Sequence, residues 1–175
     1  MGLTVLLGGA RSGKSELSSK LASGTDLPVV VVVTAEARDE EMAERIRRHR
    51  ESRPAGWTTV EEPIELATAV RDLAPDAFAV LDCLSLWVSN AMEAGFGDER
   101  IVEEAREIAS ALAKRGAPAI VVSNEVGLGI VPMNALARRY RDTLGRVNAT
   151  FVDEAERAYF LVAGKAIALQ DVKLT

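Results

Sequence analysis

The residues best suited to chemistry lie near the start of the chain, in segment 8–15, which reads GGARSGKS. The segment fits G-x-x-x-x-G-K-[ST], a pattern whose glycines let consecutive backbone N–H groups converge on phosphate oxygens. Lys14 is placed to meet the β- and γ-phosphates of a nucleotide, and the Ser15 hydroxyl can ligate Mg²⁺. An apolar run, 3–7, precedes the loop, and a helical segment follows it. Because a chance glycine-rich turn rarely has both neighbours, the segment predicts nucleotide binding.

An acidic residue stands at the end of another apolar run. Residues 77–81 read AFAVL, and Asp82 follows them directly. A carboxylate after a buried strand is the usual partner of a phosphate loop, where it holds Mg²⁺ directly or through water. The alternative is that Asp82 caps the helix predicted to start at about residue 84. Because the loop creates a need for a metal ligand, we favour Mg²⁺ binding by Ser15 and Asp82.

The sole histidine, His49, lies in a helix predicted over residues 40–52. Met42, Ile46 and His49 share one face of this helix, so spacing alone favours a half-buried histidine on an amphipathic helix. The other interpretation is chemical, because a neutral imidazole can act as a nucleophile near pH 7 and neighbouring arginines could hold a polyphosphate. The arginines concerned are Arg45, Arg47, Arg48, Arg50 and Arg53.

The composition restricts the class of protein. The 175 residues suffice for one domain with a sizeable core, so we expect a single nucleotide-binding domain over 1–175. A net charge of −5 provides no basic surface for nucleic acid. The longest apolar run, 27–33, is too short to span a membrane, and the N-terminal run leads into the phosphate loop rather than resembling a signal peptide. One cysteine, Cys83, excludes an internal disulfide, and we expect a cytoplasmic protein.

Strand and helix patterns alternate along the whole chain and must position these residues. The uninterrupted β-branched run 29–33 is typical of a strand buried on both faces of a parallel sheet. The alternation predicts a three-layer α/β domain of the P-loop NTPase type, with a mostly parallel central sheet. Ligands of such sheets bind at the carboxyl ends of the strands. We predict strands over 3–7, 28–33, 57–60, 77–81, 118–123, 158–162 and 166–169, and helices over 15–23, 40–52, 63–73, 84–92, 98–115 and 134–155. Asp39 and Asp98 are predicted to cap the second and the fifth of these helices. The sixth is predicted to carry one apolar stripe, made of Leu136, Tyr140, Leu144, Val147 and Phe151.

Several segments together resemble a known family, the bifunctional adenosylcobinamide kinase / adenosylcobinamide-phosphate guanylyltransferases of cobalamin biosynthesis. The matching segments are GGARSGKS, TAEARDEEMAERIRRHRESRPAGWTTVEEP, SNEVGLGIVP and LARRYRDTLGRVN. They extend from residue 8 to residue 148, which is most of the chain. The phosphate loop alone is shared by many families, whereas R-I-x-x-H-R followed by R-P, and N-E-V-G-x-G-I-V-P, are much more specific.

The resemblance implies roles for individual residues. His49 corresponds to the histidine that becomes guanylylated, which reverses the interpretation from spacing alone, and Lys14 serves both reactions. The substrates implied are GTP, ATP, adenosylcobinamide and its phosphate, with Mg²⁺ as cofactor, in a homotrimer without nucleic acid or membrane partners. The implied nucleotide contacts are Gly8, Gly9, Ala10, Arg11, Ser12, Gly13, Lys14, Ser15, Thr34, Ala35, Glu36, Arg50, Glu51, Ser52, Arg53, Glu61 and Asp82.

Two other functions are compatible with a phosphate loop. In a single-activity small-molecule kinase, His49 would be structural and only the γ-phosphate would be transferred. In a nucleotide-dependent switch protein, hydrolysis would be slow and a partner protein would alter its rate. The segment around His49 argues against both alternatives.

Overall fold

The computed structural model of the chain describes residues 2–51 and 53–171, and of Arg45 it describes the backbone only. Helices and strands alternate along the described residues. The strands are β1 (Leu3–Gly8), β2 (Val29–Val33), β3 (Thr58–Glu61), β4 (Phe78–Asp82), β5 (Ala119–Asn124), β6 (Arg157–Val162) and β7 (Lys165–Ala168). The helices are α1 (Lys14–Ser23), α2 (Glu40–Glu51), α3 (Leu66–Arg71), α4 (Leu84–Glu93), α5 (Asp98–Ala113) and α6 (Ala135–Glu154).

The strands form one mostly parallel sheet in the order β3-β2-β4-β5-β1-β6-β7. All neighbouring pairs are parallel except β6 and β7, which form an antiparallel hairpin at one edge. The strand that carries the phosphate loop, β1, therefore lies inside the sheet, between β5 and β6. This arrangement confirms the predicted α/β class with a mostly parallel sheet.

Two apolar cores lie on opposite faces of the sheet, because successive residues of a buried strand point to opposite sides. Val5 and Leu7 join a core built with α3, α4, α5 and α6, whose largest fully buried side chain is Trp87. Leu6 joins a second core, which includes Ala22 of α1. The continuous apolar runs of β2 and β4 are thus explained by burial on both faces, as the sequence predicted.

Helix α3 is shorter than the helix predicted over residues 63–73. The first predicted turn is missing, and the Thr68 N–H donates to the Glu65 carbonyl rather than to the Ile64 carbonyl. The Glu62 carboxylate accepts hydrogen bonds from the N–H groups of Ile64 (3.0 Å) and Glu65 (2.8 Å). The Trp87 indole donates to the Ile64 carbonyl at 3.0 Å, so that this carbonyl is used by the core rather than by a helix.

Two details of the other helices also differ from the prediction. Asp98 is the first residue of α5 and not its cap, which is Gly97; its carboxylate accepts a hydrogen bond from Arg139 of α6 at 2.6 Å. Leu136 was predicted to join the buried stripe of α6, yet it is 61% exposed. The first turn of α6 continues the exposed apolar segment 126–133, whereas Leu144 and Phe151 further along the helix are fully buried. None of the described helices combines the length and apolar character that crossing a bilayer requires.

Candidate active site

The phosphate loop joins β1 to α1 and depends on glycine at both of its ends. Gly8 has φ +153°, and a Cβ added there would lie 2.5 Å from the Leu161 carbonyl oxygen of β6. Gly13, which precedes α1, has φ +101°. Both values lie in a region that side chains strongly disfavour. The loop can therefore close over the start of α1 only with glycine at these two positions.

Lys14 is buried within this loop and is held by the loop's own backbone. Its ammonium donates hydrogen bonds to the carbonyls of Gly8 (2.8 Å) and Gly9 (2.7 Å). Burial lowers the pKa of the Lys14 ammonium, while the nearby Cys83 and Asp82 oppose that shift. The Lys14 ammonium is thus held at the N-terminus of α1, where the helix dipole also favours an anion.

A cavity of about 440 Å³ opens in front of the loop at the carboxyl edge of the sheet. This is the volume of a site for a small organic molecule. It brings together segments that are distant in the sequence, and its polar lining includes both a histidine and two arginines from the α2 region. Predicted residues that line it are Ala10, Arg11, Ser12, Gly13, Lys14, Ser15, Ala35, His49, Arg50, Arg53, Glu61 and Asp82.

Helix α2 supplies His49 to this cavity. The helix begins after Asp39, whose carboxylate accepts a hydrogen bond from the Met42 N–H at 2.7 Å and so caps the first turn, as the sequence predicted. Met42, Ile46 and His49 all line the cavity, so the predicted common face of the helix is the face toward the phosphate loop. A second cavity, of about 350 Å³, adjoins the first and is also lined by His49.

Four of the five arginines around His49 divide into two groups, and the side chain of Arg45 lies outside what the structure describes. Arg47 and Arg48 form ion pairs with Glu44 on the exposed side of α2, at 2.8 and 2.6 Å, and neither lines a cavity described above. Arg50 and Arg53 do line the larger cavity. The cationic part of the site is therefore smaller than the run of arginines in the sequence indicates.

Arg53 and Asp82 lie close together in the lining of the larger cavity. The Arg53 guanidinium lies 3.8 Å from the Asp82 carboxylate, and the Arg53 side chain is only 11% exposed. Burial lowers the pKa of Arg53, and the Asp82 carboxylate opposes this shift. Asp82 does not cap α4, because the capping residue is Cys83. The Asp82 carboxylate therefore lines the cavity and is not used to cap a helix, as metal binding would require.

Ser15 and Asp82, the two residues predicted to hold Mg²⁺, both line this cavity and carry side-chain oxygen atoms. Among the residues that the structure describes, no cluster of three histidine, cysteine or acidic side chains could hold a metal by itself. Mg²⁺ characteristically needs few protein ligands, because it retains water and shares phosphate oxygens of the substrate. The donor set therefore suits an ion that arrives with a nucleotide.

Five predicted contacts among the described residues do not line the larger cavity: Gly8, Gly9, Thr34, Glu36 and Glu51. Thr34 is fully buried, and its hydroxyl donates to the Cys83 carbonyl at 2.7 Å while accepting from the Cys83 N–H, which ties the end of β2 to the end of β4. Glu36 pairs with Arg38 at 2.7 Å, and Glu51 pairs with Arg47 at 2.6 Å. Ser52 lies outside the described residues.

Asn124 is a cavity residue to which the sequence analysis assigned no role. It ends β5 and lines the cavity between the phosphate loop and Asp82. The signal was available, because Asn124 follows an apolar strand in the same way that Asp82 does. An amide after a strand is less conspicuous than a carboxylate, since it implies no metal.

Comparison with known proteins connects this site to a family. Residues 4–169 match the sequence profile of the family described as cobinamide kinase / cobinamide phosphate guanyltransferase. The bifunctional adenosylcobalamin biosynthesis protein CobP of Pseudomonas aeruginosa is 41% identical over 95% of this chain and 96% of its own length. The bifunctional adenosylcobalamin biosynthesis protein CobU of Salmonella typhimurium is 37% identical over 96% of this chain and 99% of its own.

Solved structures resemble the fold at much lower identity. A Pyrococcus horikoshii protein superposes with a TM-score of 0.58 at 10% identity, covering 98% of this chain and 87% of its own. The type III secretion ATPase EscN of enteropathogenic Escherichia coli gives a TM-score of 0.60 at 11% identity, over 93% of this chain and 43% of its own. At this identity the likenesses concern the fold alone, which the ATPase EscN shares. By its sequence profile and its full-length relatives, the chain belongs to the cobinamide kinase / cobinamide phosphate guanyltransferase family.

Proposed function

We propose that one nucleotide site serves both activities of the family in this chain. The first is phosphorylation of adenosylcobinamide by ATP or GTP, and the second is transfer of GMP from GTP to adenosylcobinamide phosphate. The observation that carries the proposal is that the phosphate loop and His49 line the same cavity. A triphosphate held by the loop then lies within the space that the imidazole also borders.

In the kinase reaction, the hydroxyl of adenosylcobinamide attacks the γ-phosphorus of the bound triphosphate. Lys14 and the N–H groups of loop 8–15 stabilise the negative charge that develops on the phosphoryl oxygens. Ser15 and Asp82 would hold Mg²⁺, which supplies further neutralisation of the phosphate charge when it is bound. The buried position of Lys14 favours this role, because a fixed cation in a poorly solvated loop need not reorganise as the charge moves.

In the guanylyl transfer, a ring nitrogen of neutral His49 attacks the α-phosphorus of GTP. A P–N bond forms, the bond to the bridging oxygen breaks, and pyrophosphate leaves. A phosphate oxygen of adenosylcobinamide phosphate then attacks the same phosphorus, the P–N bond breaks, and adenosylcobinamide-GDP is released. Arg50 and Arg53 border the same cavity and stabilise the charge on the transferred group. All of the nucleotide contacts, those of Thr34, Glu36, Glu51 and Ser52 included, remain predictions, as do the homotrimer and the cytoplasmic location.

Labelling with [α-³²P]GTP tests the covalent step. Wild-type protein with Mg²⁺ should retain label that acid removes and alkali does not, as expected of a phosphoramidate. Label from [γ-³²P]GTP should not remain, because that phosphate departs in pyrophosphate. His49→Ala should retain no label yet still phosphorylate adenosylcobinamide, whereas Lys14→Ala should impair both reactions.

Arg48→Ala is the matched control, because Arg48 lies on the same helix but is paired with Glu44 on its exposed side. It should label as the wild type does. Labelling of His49→Ala would identify another nucleophile. Formation of adenosylcobinamide-GDP without any labelling of the wild type would mean that the transfer is direct. A single-activity kinase would show neither label nor GDP adduct, and a switch protein would show no small-molecule product.

A further inference from the structure

Asn124 occupies a central position at the active edge of the sheet. It is the last residue of β5, the strand that lies between β1 and β4. In the parallel register it stands opposite Gly8, the first residue of the phosphate loop. The following N–H, of Glu125, donates to the Gly8 carbonyl at 3.1 Å. The Asn124 side chain, which lines the cavity, is therefore fixed relative to the phosphate loop.

The hydrogen bonds around Asn124 fix both its backbone and the orientation of its amide. The side-chain Nδ2 donates to the Ser85 hydroxyl at 3.0 Å, and that hydroxyl is also 3.0 Å from the Cys83 thiol. The backbone carbonyl of Asn124 accepts from the Asn148 amide at 3.0 Å. The Asn148 amide is in turn held by the Ser123 hydroxyl at 2.7 Å. This network leaves the amide little freedom to rotate.

The side-chain oxygen of Asn124 differs from the other polar atoms of this residue. Over residues 2–51 and 53–171, no protein donor bonds Oδ1. In that part of the chain, the one buried side-chain polar atom without a hydrogen-bond partner is Nε of Arg115. Oδ1 of Asn124 also has no partner, so it must be accessible rather than buried in the core. Since Nδ2 is bonded toward Ser85 and the side chain lines the cavity, Oδ1 is the acceptor available to a molecule bound there.

We propose that Oδ1 of Asn124 accepts a hydrogen bond from the hydroxyl that is phosphorylated, and so positions it for attack on the γ-phosphorus. The proposal rests on the kinase activity stated above. An attacking alcohol directs a lone pair at phosphorus, and its O–H must then point at an acceptor elsewhere. A neutral amide provides that acceptor without repelling the triphosphate, unlike the carboxylates of Glu61 and Asp82, which also line the cavity.

The atoms of this step balance without a further reactant. The hydroxyl oxygen forms a bond to the γ-phosphorus, and the bond to the β,γ-bridging oxygen breaks, which releases the nucleoside diphosphate. An amide oxygen is too weak a base to keep the hydroxyl proton, so the proton passes to an oxygen of the transferred phosphoryl group. Asn124 thus orients the nucleophile and does not act as a general base.

Guanylyl transfer should not need this hydrogen bond. Its first nucleophile is an imidazole nitrogen and its second is a phosphate oxygen, and neither presents an O–H at the attacking atom. Loss of Oδ1 should therefore lower the kinase activity and leave the guanylyltransferase activity unchanged. A residue that only stabilised the fold or gripped the triphosphate would affect both.

The test compares wild type with Asn124→Ala and Asn124→Leu in both reactions. Asn124→Leu keeps the number and branching of the side-chain heavy atoms and so separates loss of the acceptor from loss of packing. Both variants should lower kcat of adenosylcobinamide phosphorylation by roughly 10- to 100-fold, with little change in the KM for nucleotide. Labelling by [α-³²P]GTP and formation of adenosylcobinamide-GDP from adenosylcobinamide phosphate should stay within about twofold of wild type, which also shows that the variants fold.

Three outcomes would overturn the proposal. Unchanged phosphorylation in both variants would remove any role for Oδ1. Equal losses in both reactions would assign Asn124 to the nucleotide grip or to the fold. A loss in Asn124→Ala that Asn124→Leu restores would assign it to packing. Failure of the proposed function is distinguishable, because the wild type itself would then not phosphorylate adenosylcobinamide.

Discussion

Replacing Gly8 by alanine should destabilise the whole protein, although it adds a single methyl group. An added Cβ would lie 2.5 Å from the Leu161 carbonyl oxygen and 2.7 Å from the Ser12 hydroxyl oxygen. The first of these atoms belongs to the backbone of β6, which is paired with β1 at this position and cannot swing aside as a side chain could. The φ angle of +153° adds strain that glycine does not have.

The two contributions set the expected size of the effect. A disfavoured backbone conformation costs about 1–3 kcal/mol, and forcing a methyl group into packed structure costs about as much again. Their combined cost, about 2–6 kcal/mol, should lower the melting temperature by roughly 4–24 °C for a domain of this size. Thermal unfolding followed by circular dichroism at 222 nm, without nucleotide, measures this shift.

Gly9 provides the matched control within the same loop. An alanine Cβ at Gly9 has no heavy atom within 4 Å among its non-neighbouring residues, and its φ is not in the strained region. Gly9→Ala should therefore melt within about 2 °C of the wild type. If Gly8→Ala melted at the same temperature as Gly9→Ala, the close approach of the loop to β6 would not be a constraint, and our account of the loop would be wrong.

Two further predictions concern the metal and the effect of pH. Asp82→Asn should raise the Mg²⁺ concentration for half-maximal activity by on the order of tenfold, because a carboxylate ligand is lost; a Mg²⁺ titration with an unchanged midpoint would contradict metal binding by Asp82. Burial raises the pKa of Tyr140 to about 12, so the native state keeps a proton that the unfolded state, with a pKa near 10, releases. This contribution to the free energy of unfolding is complete below pH 10 and is lost as the pH rises to about 12. Urea unfolding at pH 9 and 11 should show a smaller decrease for Tyr140→Phe than for wild type, and equal decreases would refute the assignment.

The class of fold was predictable because its signal is local. Buried strands can be identified without knowing which strands lie beside them. The uninterrupted apolar runs of β2 and β4 indicate such strands, and proline and glycine residues mark where the segments end. The strand order is not local, since β1 pairs with segments near the other end of the sequence. The short α3 could not be predicted either, because its missing turn depends on a hydrogen bond from Trp87, a residue of another helix.

The candidate site was predictable to a similar degree. The phosphate loop is recognisable from four fixed positions. The prediction that His49 is a nucleophile came only from the family resemblance, since its helical spacing is equally typical of a core residue. Arg47 and Arg48 show why a run of arginines is ambiguous, because ion pairs with Glu44 hold them on the exposed side of α2. Asn124 was missed because its importance depends on which of its atoms the fold leaves unbonded.

The placement of β1 has a consequence for synthesis of the protein on the ribosome. Leu3 pairs with Ala119 and Thr4 pairs with Arg157, so both partners of the first strand are synthesised long after it. At about 5–20 residues per second, the nascent β1 waits on the order of ten seconds for its second partner. During that interval, an apolar and β-prone segment has unpaired edges that chaperones or other chains can bind. A nascent chain that ended just before residue 157 would contain every residue of the phosphate loop. It would lack β6, one of the two strands that pair with β1.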